Sequence, residues 1–188
     1  MTREKAKTLL EISLHSEMSS IYPLIKEEIK KMNLSEIALP FPEEFLFFEP
    51  DYLSYYLDIV DRKLQTKKII DIGCDIGFQS YIFEDFEYIG IEPCSEKFFR
   101  DHGNYIKGFF PDVDCDLSNS IVIANLSLGI FGWDEESSDK ETANALSKAD
   151  YLYIKCPETL LDLLIPHFTT IYYLPQKMQI FPRVFLQK

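Results

Sequence analysis

The feature that most constrains this chain is the alternation of short apolar runs with helix-compatible segments after Thr66. The apolar runs occupy residues 69–72, 88–91, 105–106, 121–124, 151–154, 171–174 and 184–186. The first five are rich in Ile, Val and Tyr and too short for buried helices, so they predict strands of a sheet covered on both faces. The segments between them with helical character are residues 78–84, 95–101, 139–148 and 159–167. This alternation predicts an α/β fold with a doubly wound, mostly parallel sheet.

The last two apolar runs differ from the others because no helical segment separates them. Residues 175–182 begin and end with proline and could form only a loop. A connection this short cannot return the chain for a parallel strand, which needs a longer crossover. We therefore expect these two strands to form an antiparallel pair at one edge of the sheet.

Before Thr66, apolar residues recur at the i, i+3, i+4 spacing of amphipathic helices. Three such stripes are present: Leu10, Leu14, Met18 and Ile21; Leu24, Ile25, Ile29 and Met32; and Leu53, Tyr56, Leu57, Val60 and Leu64. Pro50 suits the first turn of the third helix. We therefore divide the chain into an N-terminal helical extension, residues 1–65, packed on an α/β core, residues 66–188.

An aromatic cluster lies near the end of this extension. Its members are Phe41, Phe45, Phe47, Phe48, Tyr52, Tyr55 and Tyr56. The cluster could roof an apolar substrate pocket, or it could pack the N-terminal helices onto the sheet. Packing is the favoured interpretation, because large aromatic side chains dominate the burial of apolar surface.

Length and charge narrow the classes of function. The 188 residues fit one domain with an extension, and a hydrophobic content of 46% can bury a core. The net charge of -12 opposes a phosphate backbone, so nucleic acid is disfavoured as a partner. The four cysteines form no C-x-x-C pair, so we expect no metal site. We find no signal peptide and no apolar stretch near the ~20 residues of a membrane span, so we expect a cytoplasmic protein without membrane contact.

The most informative segment is residues 68–77, where a strand runs into an acidic residue and two glycines. Asp71 precedes Gly73 and Gly77, and a helix-compatible segment follows them. Glycine permits a sharp turn and the close approach of a ligand, and a helix start offers free N–H groups. A valine at position 73 should therefore block a ligand while leaving the fold largely intact. The run that ends in Glu92 places a carboxylate at the tip of the second strand, where it can accept hydrogen bonds from a ribose diol.

A nicotinamide dinucleotide is the competing cofactor for such a turn. Its G-x-G-x-x-G pattern, started at Gly73, needs glycine at positions 75 and 78, where this chain has Asp75 and Phe78. A carboxylate facing a pyrophosphate would be repelled. A cofactor with a positive centre suits the acidic loop better, and S-adenosylmethionine carries both a sulfonium and an ammonium.

Residues 69–77 resemble the first motif of class I S-adenosylmethionine-dependent methyltransferases, D/E-x-G-x-G-x-G. In this chain the motif stands as Asp71-x-Gly73-x-Asp75-x-Gly77, with aspartate in place of the middle glycine. Glu92 matches the acidic residue of the family at the end of the second strand. The resemblance covers residues 66–188 and implies a Rossmann-like core with seven strands in the order 3-2-1-4-5-7-6, strand 7 being antiparallel.

The same resemblance extends to residues 120–126, which are similar to the fourth-strand motif that leads into the active site. It implies that Asp71 and Gly73 lie near the methionine part of the cofactor, that Gly77 closes the turn and that Glu92 binds the ribose. Asp112 or Asp114 could meet the adenine amino group. The implied cofactor-binding residues are Asp71, Gly73, Cys74, Asp75, Gly77, Glu92 and Asn125. Asn125 could equally be a turn or cap residue.

The resemblance implies methyl transfer from S-adenosylmethionine to a small-molecule or peptide acceptor. The sulfonium is already a good leaving group, so the protein mainly aligns the acceptor and excludes water. The sequence identifies no catalytic residue and does not determine the oligomeric state. Two alternatives remain: a methyltransferase-like binding or regulatory module without turnover, and an RNA methyltransferase, which the acidic charge disfavours.

Overall fold

The computed structural model describes residues 1–15, 48–93, 104–128, 136–175 and 181–188, and a seven-stranded sheet forms its centre. The strands are β1 (Lys68–Ile72), β2 (Glu87–Glu92), β3 (Asn104–Lys107), β4 (Ile121–Asn125), β5 (Tyr151–Lys155), β6 (Thr170–Tyr173) and β7 (Arg183–Gln187). Their order is β3-β2-β1-β4-β5-β7-β6, and only β7 runs antiparallel to its neighbours. The predicted strand order and the predicted doubly wound sheet are both confirmed.

The central strands carry apolar side chains on both faces, as a sheet covered on both sides requires. Ile69, Ile121 and Ile123 point into one core cluster. Ile70 and Val122, which alternate with them along the strands, point into a second cluster on the other face. The period of two in strand side chains therefore explains why these runs are continuously apolar.

Among the described connections, those after β1, β4 and β5 contain helical segments, and the one after β1 differs in type from the prediction. The helices after the fourth and fifth strands are α3 (Glu136–Leu146) and α4 (Glu158–Leu164), and a 3-10 turn at Ile165–His167 follows α4. The predicted helix at 78–84 is instead a 3-10 helix, Phe78–Phe83, most of whose side chains are buried. The predicted helix at 95–101 lies outside the described residues.

The sheet ends in the predicted antiparallel pair. Within the described part of the chain, β6 pairs with β7 alone, in the register Ile171 to Leu186, and all four of its residues are exposed. β7 lies between β5 and β6, and four of its five residues are buried. The short connection thus places the last strand inside the sheet and the sixth strand at its edge.

Two N-terminal helices are described, α1 (Arg3–His15) and α2 (Pro50–Arg62). Pro50 occupies the first turn of α2, as predicted. The second apolar stripe, residues 24–32, lies outside the described residues. The described part of the chain contains no helix with the length and apolar character needed to cross a membrane.

The aromatic residues of α2 face the sheet. Tyr52, Tyr55 and Tyr56 are buried and share a core cluster with Phe48 and with β1 residue Ile69. For these four aromatic residues the packing interpretation is confirmed, whereas Phe41, Phe45 and Phe47 lie outside the described residues. The division of the chain at residue 65 stays a prediction.

Candidate functional site

The glycine turn after β1 is held against the neighbouring strand β2. Gly73 and Gly77 have φ angles of +75° and +76°, in the left-handed region that favours glycine. The N–H of Gly73 donates to the carbonyl of Ile91 at 2.7 Å, and the N–H of Gly77 donates to the carbonyl of Cys74 at 2.9 Å. The turn therefore has one defined conformation at the carboxyl edge of the sheet.

Both glycines make room for the protein's own side chains. A Cβ on Gly73 would lie 2.2 Å from the Cβ of Ser127, and a Cβ on Gly77 would lie 2.6 Å from the hydroxyl of Tyr105. Ser127 follows β4, so Gly73 is the point where the loops after β1 and β4 meet. The expectation that valine at position 73 would leave the fold largely intact is therefore wrong, because that side chain would collide with the loop after β4.

Glu92 ends β2 beside this turn. Its carboxylate accepts a hydrogen bond of 3.2 Å from the backbone N–H of Asp75. Glu92 is half-buried, while Asp75 is exposed and has a φ of +50°. Sequence reasoning thus correctly places Glu92 at the tip of the second strand and beside the turn. Its contact with a ribose stays a prediction.

Asp71 is the second-last residue of β1, just before the glycine turn, and its side chain is fully buried. It accepts hydrogen bonds from the hydroxyls of Tyr52 at 2.8 Å and Tyr88 at 2.5 Å. Burial raises the pKa of the Asp71 carboxyl to about 7, although both tyrosine hydrogen bonds act to lower it. The carboxyl therefore supports the turn from inside the core, and the predicted nearness of Asp71 to the methionine part of a cofactor is not tested.

Cys74, the remaining turn residue of the predicted set, also has a buried side chain. Its sulfur contacts Gly90 so closely that a Cβ there would lie 2.5 Å away. Burial raises the pKa of the Cys74 thiol above its ordinary value. The side chain thus belongs to the core, and the backbone is the part of Cys74 that belongs to the turn.

Asn125 ends β4 and joins two residues of the N-terminal extension. Its Oδ1 accepts a hydrogen bond of 2.9 Å from Tyr55, and its Nδ2 donates one of 3.0 Å to the carboxylate of Glu49. Burial raises the pKa of Glu49, the like charge of Asp51 adds to the rise, and the hydrogen bond from Asn125 opposes it. Asn125 therefore acts in a side-chain network, and the interpretation as a simple turn or cap residue does not describe it.

A second network continues along the edge of the sheet. Asp51, in the first turn of α2, accepts hydrogen bonds from Lys155 at the end of β5 and from Arg183 at the start of β7. The Lys155 contact measures 2.8 Å, and Arg183 is almost fully buried. The first turn of α2 is thus bound to the carboxyl ends of β1, β4 and β5.

Sequence reasoning missed the contribution of α2 to the site. Glu49 precedes Pro50 and has the position of a helix N-cap, yet its side chain makes no capping hydrogen bond. Glutamate is not among the residues preferred at that position. An N-cap residue of the wrong type is therefore the one local signal that could have indicated another role for Glu49.

The other candidates are less informative. Asp112 and Asp114 are exposed in the segment after β3, and the described contacts do not connect them with the turn. Within the described ranges, no group of three or more His, Cys, Asp or Glu side chains could hold a metal ion.

No family model and no curated protein matches the chain. Among solved structures, it is similar to magnesium protoporphyrin IX methyltransferase (ChlM) from Synechocystis PCC 6803 with bound S-adenosylmethionine. The identity is 11% and the TM-score 0.51, over 91% of this chain and 97% of that one. It is also similar to the human methyltransferase 10 domain containing protein, at 14% identity and a TM-score of 0.50, over 87% and 95% of the two chains.

The chain has the class I S-adenosylmethionine-dependent methyltransferase fold. The structure of EvdMO1 is similar as well, at 13% identity and a TM-score of 0.53, over 92% of this chain and 49% of that one, so the chain spans about half its length. In a doubly wound sheet, ligands bind outside the carboxyl ends of the strands, at the point where the strand order reverses. In this methyltransferase fold that point lies between β1 and β4, where the glycine turn meets Ser127 of the loop after β4.

Proposed function

We propose that this protein transfers a methyl group from S-adenosylmethionine to a small-molecule or peptide acceptor. The observation that carries the proposal is the hydrogen bond from the Asp75 N–H to Glu92, which joins the glycine turn to the tip of β2. It brings a carboxylate for a ribose diol next to a turn with the spacing of the methyltransferase motif. The class I methyltransferase fold supports the proposal, although one fold can carry several functions.

The residues around the turn fit a cofactor with a positive centre. Asp75 is exposed in the turn, and Glu92 is half-buried beside it. The Glu49 carboxylate is hydrogen-bonded to Asn125, the last residue of β4. These carboxylates create a negative potential at the reversal point of the sheet. Such a potential attracts a sulfonium and an ammonium and repels the pyrophosphate of a dinucleotide.

The protein's own part in the reaction would be to bind and orient. Glu92 would hold the ribose hydroxyls, the backbone of residues 73–77 would contact the amino-acid part, and the loop after β4 would line the acceptor side. Bound S-adenosylmethionine would supply an activated methyl group with a neutral thioether as its leaving group. Aligning the acceptor with that group and excluding water are the main tasks left to the chain.

Calorimetry tests the cofactor part of this proposal. We expect S-adenosylmethionine and S-adenosylhomocysteine to bind with dissociation constants in the micromolar range, about -8 kcal/mol. NADH serves as the matched control and should not bind, because it carries a pyrophosphate. An absence of heat and of a thermal shift at millimolar S-adenosylmethionine would contradict the proposal, and tight NADH binding would replace it with the dinucleotide alternative.

Turnover requires a second measurement. The protein is incubated with S-adenosylmethionine and a library of small metabolites and peptides, and the release of S-adenosylhomocysteine is followed. Acceptor-dependent release supports methyl transfer. Cofactor binding without release across the library favours the binding or regulatory module. Tight, salt-dependent binding of RNA in a filter assay would instead favour an RNA acceptor.

A further inference from the structure

We propose that Glu49 faces the point of methyl transfer and accepts the proton of an N–H or O–H group on the acceptor. This inference rests on the proposed function and adds to it a catalytic residue and a class of acceptor, one with a protic nitrogen or oxygen.

The position of Glu49 is fixed by its neighbours. Its backbone N–H donates a hydrogen bond of 3.1 Å to the side-chain oxygen of Gln79, and its carboxylate accepts one of 3.0 Å from the side-chain amide of Asn125. Burial raises the pKa of Tyr55 well above its ordinary value, so this hydroxyl stays protonated and donates to Asn125 Oδ1. Because Oδ1 is occupied by that donor, the NH₂ group of Asn125 must face Glu49. The Tyr55–Asn125–Glu49 chain therefore holds the carboxylate in one orientation.

The order of residues along the sheet edge places Glu49 on the reacting side. Glu92 lies at the end of β2, the glycine turn follows β1, and Asn125 with Glu49 lies at the end of β4. The neighbouring order β2-β1-β4 puts the turn between Glu92 and Glu49. A cofactor whose ribose is held at Glu92 and whose amino-acid part lies on the turn has its sulfur between them. The acceptor must approach that sulfur from the β4 side, where Glu49 lies.

The charges around Glu49 suit a proton acceptor. Asp51 and Asp75 act to raise its pKa, while Asn125 and Lys155 act to lower it, and burial is the largest influence and raises it. Lys155 itself is held by Asp51 at 2.8 Å, so its ammonium is engaged by another carboxylate. A general base works best when its pKa approaches the ambient pH, and a raised carboxyl pKa moves Glu49 in that direction.

The proposed step balances without a further reactant. The lone pair of the acceptor nitrogen or oxygen forms a bond to the methyl carbon, while the carbon–sulfur bond breaks and its electron pair stays on sulfur. The acceptor's proton passes to the Glu49 carboxylate and from there to solvent. The products are the methylated acceptor, S-adenosylhomocysteine and one proton.

The experiment needs no identified acceptor. Sinefungin is an S-adenosylmethionine analogue with an amine at the position of the transferred methyl group, and S-adenosylhomocysteine has nothing there. Calorimetry compares the binding of both ligands to the wild type and to Glu49→Gln, which retains an oxygen to accept from Asn125. The matched control is Glu87→Gln. Glu87 is exposed at the amino end of β2, away from the glycine turn at the carboxyl end of the sheet. Thermal unfolding of each variant verifies that it is folded.

We expect Glu49→Gln to weaken the binding of sinefungin by about tenfold and to leave the binding of S-adenosylhomocysteine unchanged. The reason is that only sinefungin carries a charged donor at the position of the methyl group, where it would meet the carboxylate. The Glu87→Gln variant should change neither. Equal weakening of both ligands would mean that Glu49 holds a part they share, such as the ammonium, and would overturn the inference. Unchanged binding of both ligands would also overturn it. Failure of both ligands to bind the wild type would instead contradict the proposed function itself.

Discussion

Tyr52, in the first turn of α2, donates a hydrogen bond of 2.8 Å to Asp71, the acidic residue of the first motif. The acceptor is fully buried, and the second hydrogen bond to it comes from Tyr88 on β2. The base of the glycine turn is therefore built from the N-terminal extension as well as from the sheet. Changes in α2 should consequently affect the candidate cofactor site.

Tyr52→Phe should destabilise the protein by about 1–3 kcal/mol, because a buried carboxyl oxygen would lose its donor. Urea unfolding monitored by circular dichroism measures the change. Tyr172→Phe removes a hydroxyl from an exposed residue of β6 and provides the control. Equal stability of Tyr52→Phe and the wild type would show that the bond to Asp71 contributes nothing measurable.

As the pH rises from about 4 to about 7, the free energy of unfolding should decrease because of Asp71. Its pKa is raised from 3.8 to about 7 in the folded chain, so in this window the native state binds more protons than the unfolded state. The contribution of this residue is therefore most favourable below pH 4 and is lost as the pH rises through 7. The loss is at most about 4 kcal/mol.

Asp71→Asn isolates this contribution because asparagine has nearly the same shape and does not titrate. Its unfolding free energy, measured at several pH values, should depend less steeply on pH than that of the wild type between pH 4 and pH 7. Parallel curves for the two proteins would mean that Asp71 keeps an ordinary pKa in the folded state.

Gly73→Ala should destabilise the fold by about 1–3 kcal/mol, from overpacking and from the left-handed backbone. The new Cβ would lie 2.2 Å from the Cβ of Ser127. Adding Ser127→Gly removes that atom and should recover part of the loss, while Ser127→Ala, which retains it, should not. Recovery by neither second substitution would mean that the backbone conformation determines the cost, and recovery by both would mean that the Ser127 hydroxyl, 3.0 Å from the new Cβ, is the colliding group instead of the Ser127 Cβ.

Glu92→Ala should weaken the binding of S-adenosylmethionine by about 1.5–3 kcal/mol, because hydrogen bonds between the Glu92 carboxylate and the ribose would be lost. Glu87→Ala, on the same strand but at its amino end, should bind normally. Calorimetry measures both variants. If Glu92→Ala bound as tightly as the wild type, the ribose would have to be held elsewhere.

The strands and their arrangement were largely predictable from sequence. An apolar run coincides with each of the seven strands. For β1, β4 and β5 the reason is that a strand buried on both faces needs apolar residues at consecutive positions, whereas β3 and β6 are not buried. The motif around Asp71 and Gly73, through its family resemblance, supplied the strand order. The segment 78–84 was predicted as a helix and forms a 3-10 helix at Phe78–Phe83, because local pattern does not distinguish the two hydrogen-bonding schemes.

The side-chain contacts that make the candidate site were decided only by the tertiary structure. Glu49 and Asn125 are 76 residues apart in the chain. Tyr52 and Asp71 meet because α2 lies against β1. Ser127 occupies the space next to Gly73, where sequence reasoning expected room for a ligand. Periodicity and motif spacing report local conformation and burial, which the chain determines over a few residues. The partner of a polar side chain depends instead on how distant elements pack, because any of several donors could satisfy a carboxyl such as Glu49 or Asp71 until the fold brings one of them within reach.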